Sequence, residues 1–489
     1  MMHLRKRMLA MTAVVFMAVF AMLAGNIPME DTGEKNVPDF IDDHKKTIYF
    51  GYSDDSLTSY INSAAVAFGE REDVHVIPVL LDDNSYLETI NNMTIEDDKT
   101  APDSFLIAND FLEKAYLCGL AIPIQDAGEI VNSANFPETA LQAVSYQGKS
   151  VAYPFYYETS ALIYNKTYLN QWVKQQEEAG ADDETDNASN EGNSTANAGE
   201  SADNMGNSTA DAEDGTTSDD EEDFEEVVDY TNQISREGVP STMEALLHIA
   251  DTFDAPEGVE GIMEWDVSDI FYNYWFVGNS LNVGGPRGDD PSMIDINNEQ
   301  TVECLEFYQS LHQFFSIETE NISYESCLQN FIDGKIVFTI GGTGSINILE
   351  EAKQSGTLAY EYGYAVLPDI STTIESGNMS VTYTVAVNGY SENKELANAF
   401  AAFITDEYIP QLYDRTGKLA AKKDVTRVNS YLSVFDEAYE NSESLPKLLE
   451  IGNLWLQLES MFAKIWNGEE ARPLLEELAG QIESQLIMR

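Results

Sequence analysis

The sequence predicts a two-lobed α/β protein, and three observations carry that prediction. Strand-like apolar runs alternate with amphipathic helical runs between residues 47 and 117. The same alternation resumes from Lys335 to Ile404. Between the two lies an acidic interruption with too few apolar residues for a core of its own. Strands alternating with helices imply crossover connections and a largely parallel sheet covered on both faces. With such units on both sides of the middle, two lobes fit better than one large sheet.

Taken in order, Thr47-Ile48-Tyr49-Phe50-Gly51-Tyr52 is rich in β-branched and aromatic residues and predicts a strand. Ser56 to Gly69 predicts a helix, with apolar residues three and four apart. Val74 to Val79 predicts the next strand, Tyr86 to Met93 a helix, Asp103 to Ala108 a strand, and Asp110 to Leu117 a helix. Ligands of such sheets sit at the carboxyl ends of strands. The residues just after Tyr52 and Ala108 therefore face the expected site: Asp54, Asp55, Asn109 and Asp110. Past the interruption, Thr242 to Phe253 predicts a helix with Ser241 as its cap. Ser268 to Val277 is aromatic-rich, and Glu299 to Phe315 and Tyr324 to Asp333 are amphipathic helices. Lys335 to Ile340 predicts a buried strand leading into Gly341-Gly342-Thr343-Gly344-Ser345. Tyr364 to Pro368 and Val381 to Asn388 follow as strands, then Lys394 to Ile404 as a helix. The C-terminal stretch holding Trp455 and Trp466 is mainly helical in pattern.

The 489 residues are 43% hydrophobic and 11% aromatic, values of a globular chain, with a formal net charge of −59. That charge argues against nucleic acid and anionic lipid as partners. From Gln175 to Ser235 there is no Lys or Arg and about twenty Asp and Glu, a composition expected to stay disordered because it buries too little to offset its ordering entropy. Arg5-Lys6-Arg7 followed by the apolar run Met8 to Ala24 reads as an export signal or uncut anchor. Leu23-Ala24-Gly25-Asn26 resembles a lipobox, but Asn26 has no thiol to carry a lipid. Release after cleavage and retention by the uncut segment both remain open. Three widely spaced cysteines make no disulfide framework. Cys118 is expected in the core, and pairing of Cys304 with Cys327 is left open.

Of the motifs that carry chemistry, the glycine run at 341–345 lacks the Gly-Lys-Ser/Thr ending of a phosphate loop and reads better as a turn bordering a pocket. No GxSxG, HExxH, CxxC or Cys/His cluster is present, so neither a nucleophilic triad nor a metal or other cofactor is expected. The aromatics are more informative. Tyr156 and Tyr157 precede Glu158, and Tyr272, Tyr274 and Trp275 flank Asp266 and Asp269. Flat rings beside carboxylates suit a sugar, which shows an apolar C–H face and a rim of hydroxyls. Covering one pyranose face removes on the order of 50 Å² from water, roughly 1–2 kcal/mol. Paired carboxylates would also suit a glycosidase, which spacing alone leaves open.

One resemblance becomes specific here. Val151-Ala152-Tyr153-Pro154-Phe155-Tyr156-Tyr157-Glu158-Thr159-Ser160-Ala161-Leu162-Ile163-Tyr164-Asn165-Lys166 resembles the crossover segment of extracellular solute-binding proteins of the maltose-binding type. So do Pro102 to Asp110, Phe331 to Lys335 leading into Gly341-Gly342, Tyr364 to Pro368, and Ser391 to Ala397, in the same order. The resemblance implies a type II periplasmic-binding-protein fold, with two lobes closing on a ligand and the acidic insert in the second. It implies residues 46–155 and 377–425 as lobe 1 and 156–376 and 426–489 as lobe 2. The insert would be 176–237, with 1–25 the signal or anchor and 26–45 a spacer. Carried over by position, Asp54 or Asp55, Asn109, Asp110, Glu158, Tyr272, Trp275, Gly342, Thr343 and Trp455 would face the ligand. The family would make this chain a monomeric carbohydrate receptor serving an ABC permease, without catalysis. The same fold used as a sensor, or for a polyamine or peptide, is the alternative. Thr343-Gly344 stands where related sugar binders often place a Trp, one stacking platform fewer.

Overall fold

The computed structural model describes residues 45–126, 128–190, 230, 232–315, 317–319, 321–425 and 429–487. The expected signal segment and spacer, residues 1–44, and the acidic stretch 191–229 lie outside these residues. Among the described residues fourteen strands occur in chain order: β1 Thr47–Tyr52, β2 His75–Leu80, β3 Ser104–Ala108, β4 Ser145–Tyr146, β5 Lys149–Ser150, β6 Tyr153–Asn165 and β7 Gly261–Met263. Then come β8 Asn282–Val283, β9 Ile294–Asp295, β10 Ile336–Gly342, β11 Tyr362–Ala365, β12 Met379–Val387, β13 Leu419–Ala420 and β14 Glu443–Ser444.

Ten of them lie on one hydrogen-bonded path, β2-β1-β3-β12-β6-β10-β7, with β11 and β13 on β6 and β14 on β12. The path is two sheets sharing one strand. Residues Tyr153 to Thr159 of β6 run antiparallel to β12, and Tyr156 and Tyr157 also pair with β13. From Ser160 onward the partner becomes β10, with β11 on the other edge from Leu162. At about 3.3 Å per residue, β6 extends roughly 40 Å through both lobes. The pairs β1–β2 and β1–β3 are parallel, but the sheet is mixed and not largely parallel as the alternating pattern predicted: β12 runs antiparallel to β3 and β6, and β10 and β11 antiparallel to β6.

Each sheet has its own core. Ile48, Phe50, Phe105, Ile107, Tyr153 and Phe155 pack with Tyr60 and Phe68 of the helix Thr58–Glu72 and Phe400 and Ile404 of the helix Lys394–Thr405. The second lobe buries Trp265, Trp275, Tyr308, Phe338, Phe462 and Trp466. A third cluster, with Tyr157, Ile163, Phe331, Leu349, Phe435 and Tyr439, covers the opposite face of β6. Because β6 is covered on both sides, twelve of its thirteen residues are buried. Glu158 is the exception.

Two further expectations are corrected, and the bounds of the acidic insert are narrowed. The helix Met243–Thr252 is capped by Thr242, whose hydroxyl oxygen accepts the Ala245 N–H at 3.1 Å. Ser241, the expected cap, instead donates its N–H and hydroxyl to the Gln233 carbonyl. The helix beginning at Lys166 runs through Asn190, into the stretch 176–237 expected to be disordered. An anchored helix needs only propagation, and the Gln, Glu and Ala at 175–181 are good helix formers. The Gln175 amide bonds both the N–H and the carbonyl of Asp254, fixing the helix before the acidic residues begin. Cys118 is exposed rather than core, because Leu112 and Ala115 take the buried positions of its short helix. Cys304 and Cys327 are buried and unpaired with one another.

Candidate functional site

The carboxyl ends of β1 and β3, the loop after β2 and the exposed face of β12 enclose a cavity of about 280 Å³. Ser53, Asp54, Asp83, Phe111, Tyr156 and Tyr383 are among its walls. The volume is just below the roughly 300–1,000 Å³ usual for small-molecule sites. Tyr156 and Tyr383 are cross-strand neighbours on β6 and β12, and their rings stack at 4.4 Å and 12°. The register of β12 against β6 shifts between Tyr383 and Thr384. A bulge of this kind re-aims side chains, a recurring device beside functional sites.

At the edge of this cavity the two lobes meet through one charged group. Lys418 stands immediately before β13. Continuing the register Leu419↔Tyr157 sets it opposite Glu158. The Lys418 ammonium donates to Glu158 Oε1 at 3.1 Å, pairs with Asp54 Oδ2 at 3.2 Å, and lies 5.3 Å from the centre of the Tyr156 ring. The second oxygen of Glu158 accepts the hydroxyl of Thr343, from the glycine turn after β10. Asp54, on the first lobe, is thereby linked to Thr343 on the second.

Burial opposes charging of Asp54, but the Ser56 hydroxyl and N–H and the Lys418 ammonium outweigh it and hold the carboxyl below its usual range. Burial likewise opposes the Lys418 charge, and Glu158 and Asp54 together raise its pKa above the ordinary value. The backbone that aims Lys418 is constrained. Gly417 has φ of +73°, a conformation that favours glycine, and a Cβ there would meet Asn347 Nδ2 at 2.1 Å.

The second lobe supplies an aromatic wall. Tyr272 stacks on Tyr324 at 5.1 Å and 4°. Asp269 accepts the Phe271 N–H and Asp266 accepts the Tyr324 N–H, fixing both rings. A methyl at Gly342 would lie 3.7 Å from Tyr272 Oη, so the glycine turn lies beside the Tyr272 hydroxyl. Trp455 is partly exposed, edge-on to Tyr274 at 5.8 Å.

Of the expected site residues, Asp54, Glu158 and Thr343 are brought together, with Tyr272 and Gly342 on the same wall. Asp55 is exposed beyond the turn that Asp54 caps. Two expected ligand contacts are structural instead. Asn109 is fully buried: its amide donates to Ser444 Oγ and the Leu445 carbonyl and accepts the Thr382 N–H. Trp275 is 1% exposed with its ring on Phe276, so it offers no face to a ligand. Asp110 is part-buried, and its Oδ1 has no hydrogen-bond partner among the described residues. Burial pushes its pKa up to about 6, only partly relieved by the N–H groups of Asp110 and Phe111 and by Lys447.

Lys418 and Tyr383 were missed from sequence. Tyr383 had a legible signal, since Thr382-Tyr383-Thr384 alternates within a strand. Lys418 had none, being one lysine near Lys422 and Lys423. Among the described residues no group of three or more His, Cys, Asp or Glu could hold a metal ion. No helix among them is long and apolar enough to cross a membrane.

Comparison with known proteins agrees with this architecture. The structure is similar to that of an extracellular solute-binding protein from Staphylococcus aureus in complex with maltose, with a TM-score of 0.68 and 18% identity over 91% of this chain and 99% of that one. A maltose-binding protein from Listeria monocytogenes in complex with maltose gives 0.66 and 19% over 91% and 99%. At such identities the likeness shows the fold, two α/β lobes of the solute-binding type. The maltodextrin-binding protein MdxE of Bacillus subtilis (strain 168) is 22% identical over 214 residues, 42% of this chain. The chain thus spans about half the length of that curated relative. The model of the bacterial extracellular solute-binding protein family matches residues 63–430, most of the chain on both sides of the acidic stretch, and the chain belongs to that family.

Proposed function

We propose that the protein captures a carbohydrate between its lobes and delivers it to an ABC permease, without transforming it chemically. The observation that carries this is Glu158, the one residue of the strand shared by both lobes that is not fully buried, joined through Lys418 to Asp54 on one side and directly to Thr343 on the other. A solute touching Glu158 contacts the hinge and both walls at once. Ligand contacts made only when the lobes meet shift the population toward the closed form.

The relatives named above bind maltose or maltodextrin, and the chemistry of this cleft suits the same class. Carboxylates accept sugar hydroxyls, and the part-exposed ring of Trp455 offers an apolar face to a pyranose, with the buried Tyr272–Tyr324 stack supporting the glycine turn. Asp54, Glu158, Thr343 and Gly342 line the proposed contact surface, with Asp110 behind it. One lobe comprises residues 46–155 and 377–425 and the other 156–376 and 426–489, with β6 crossing between them. The receptor acts as an exported monomer, with Asn26 leaving no thiol for lipid attachment.

Calorimetric titration with a panel from glucose to maltoheptaose tests the proposal. Micromolar binding of one member, about −8 kcal/mol, is the expected result. No heat from any sugar, with tight binding of a polyamine or peptide, would overturn it.

A further inference from the structure

We propose that Lys418 is the specificity-determining residue of the cleft: its ammonium occupies the position where a ligand cation would pair with Asp54 and Glu158, and so restricts the site to uncharged, hydroxyl-rich solutes. This rests on the carbohydrate reading of the same cleft and adds the charge class of the ligand.

The need for such a residue follows from the charge around it. The chain carries −59 overall, and Asp54, Asp83, Glu88 and Glu158 border the cavity or its edge; Lys114, also on its wall, is paired with Glu88 at 3.5 Å, which leaves Asp54, Asp83 and Glu158 toward Lys418. An acidic cleft concentrates cations. Two carboxylates within reach of a single nitrogen, with the Tyr156 ring beside it, form a ready site for an amine. The chain fills that position with its own ammonium, at 3.1 Å from Glu158, 3.2 Å from Asp54 and 5.3 Å from the ring centre.

Occupation by Lys418 also changes what the carboxylates can do. An ammonium has three donors, and Asp54 and Glu158 take two of them. Each carboxylate oxygen keeps a lone pair. The cluster therefore presents acceptors and a donor side by side, a surface matched by hydroxyls, which donate and accept at once. An amine has no acceptor to offer once protonated, and it would meet a like charge. The lysine is fixed from the backbone up: Gly417 is held against Asn347, the Lys418 N–H donates to Thr416 Oγ1 at 3.0 Å, and β13 pairs with β6 in the next residues.

The test compares Lys418→Met, which keeps the stem and removes the charge, with Lys418→Arg, which keeps the charge. Maltotriose and spermidine are the titrants, at low and high salt. The wild type and Lys418→Arg are expected to exclude spermidine. Lys418→Met is expected to bind it at least about tenfold more tightly, with affinity falling steeply as salt screens the exposed carboxylates. Adding Glu158→Gln to Lys418→Met should abolish that gain. Micromolar spermidine binding by the wild type overturns the proposal, as does a Lys418→Met affinity within threefold of wild type. If Lys418→Met fails to fold, loss of spermidine exclusion in the folded Lys418→Arg protein does the same. Gain of spermidine binding by Lys418→Met in a protein that binds no sugar supports the charge filter while sinking the carbohydrate reading, so the two failures are distinguishable.

Discussion

Replacing Glu158 by Gln probes the cleft at the one position of β6 that is not fully buried. Each carboxylate oxygen has two lone pairs. Oε1 uses one on Lys418 and Oε2 one on Thr343, so Glu158 retains room for two ligand hydroxyls. A hydrogen bond to a charged acceptor contributes about 1.5–3 kcal/mol net. The amide keeps the shape of the side chain, removes the charge and turns one acceptor into a donor. The expected loss is about 2–3 kcal/mol, roughly 30- to 150-fold in Kd at 25 °C. Isothermal titration with the tightest-binding maltodextrin measures it. Folding stability should move much less. The Lys418–Glu158 pair has 24% of each side chain exposed and is worth about 0.5–1 kcal/mol once solvent screening is counted. A Kd within threefold of wild type, in a protein whose urea unfolding is unchanged, would refute contact between Glu158 and the ligand.

Three further outcomes follow from the geometry. The folded-state pKa of Asp110 lies near 6, above its ordinary 3.8, so the stability its proton contributes is present below about pH 4 and lost as pH rises through 6. Asp110→Asn should therefore stabilise by about 2–3 kcal/mol at pH 7.5 and by almost nothing at pH 4; equal gains in urea unfolding at the two pH values would contradict the assignment. Gly417→Ala should cost about 1 kcal/mol, from the left-handed backbone, since the exposed Asn347 side chain can move aside, and weaken sugar binding by displacing Lys418. Unchanged stability in denaturant titration would show that the turn relaxes freely. Deleting residues 191–229, which leaves the helix Lys166–Asn190 intact, should keep ligand affinity within about threefold; a larger shift by calorimetry would give the acidic stretch a part in binding.

The lobes were legible in sequence because periodicity and β-branched content report local backbone preference directly. Thr47 to Tyr52, Ser104 to Ala108 and Lys394 to Thr405 emerge as strand, strand and helix nearly as their patterns predict. Glu158 stood out as the lone charge between Tyr153 and Asn165. Side-chain burial was not legible in the same way. Trp275 and Tyr272 are three residues apart in one aromatic run, and the turns Ile270–Tyr272 and Tyr274–Phe276 bury both, one on Phe276 and the other on Tyr324. Asn109 had the position of a ligand contact, but the long-range partners Ser444 and Leu445 claim its amide. Lys418 depends on a strand pairing across 260 residues, which no local pattern reveals.

The shared strand also governs when the protein can fold. β12 must enter between β3 and β6 before the first sheet is complete, so Thr384 reaches the Ile107 carbonyl across 277 residues of chain. Contacts this distant in sequence make folding slow. A nascent chain must wait for its last quarter before either half closes, which leaves it threadable while it is being exported. Refolding by single jump from urea is expected on a timescale of seconds, not microseconds.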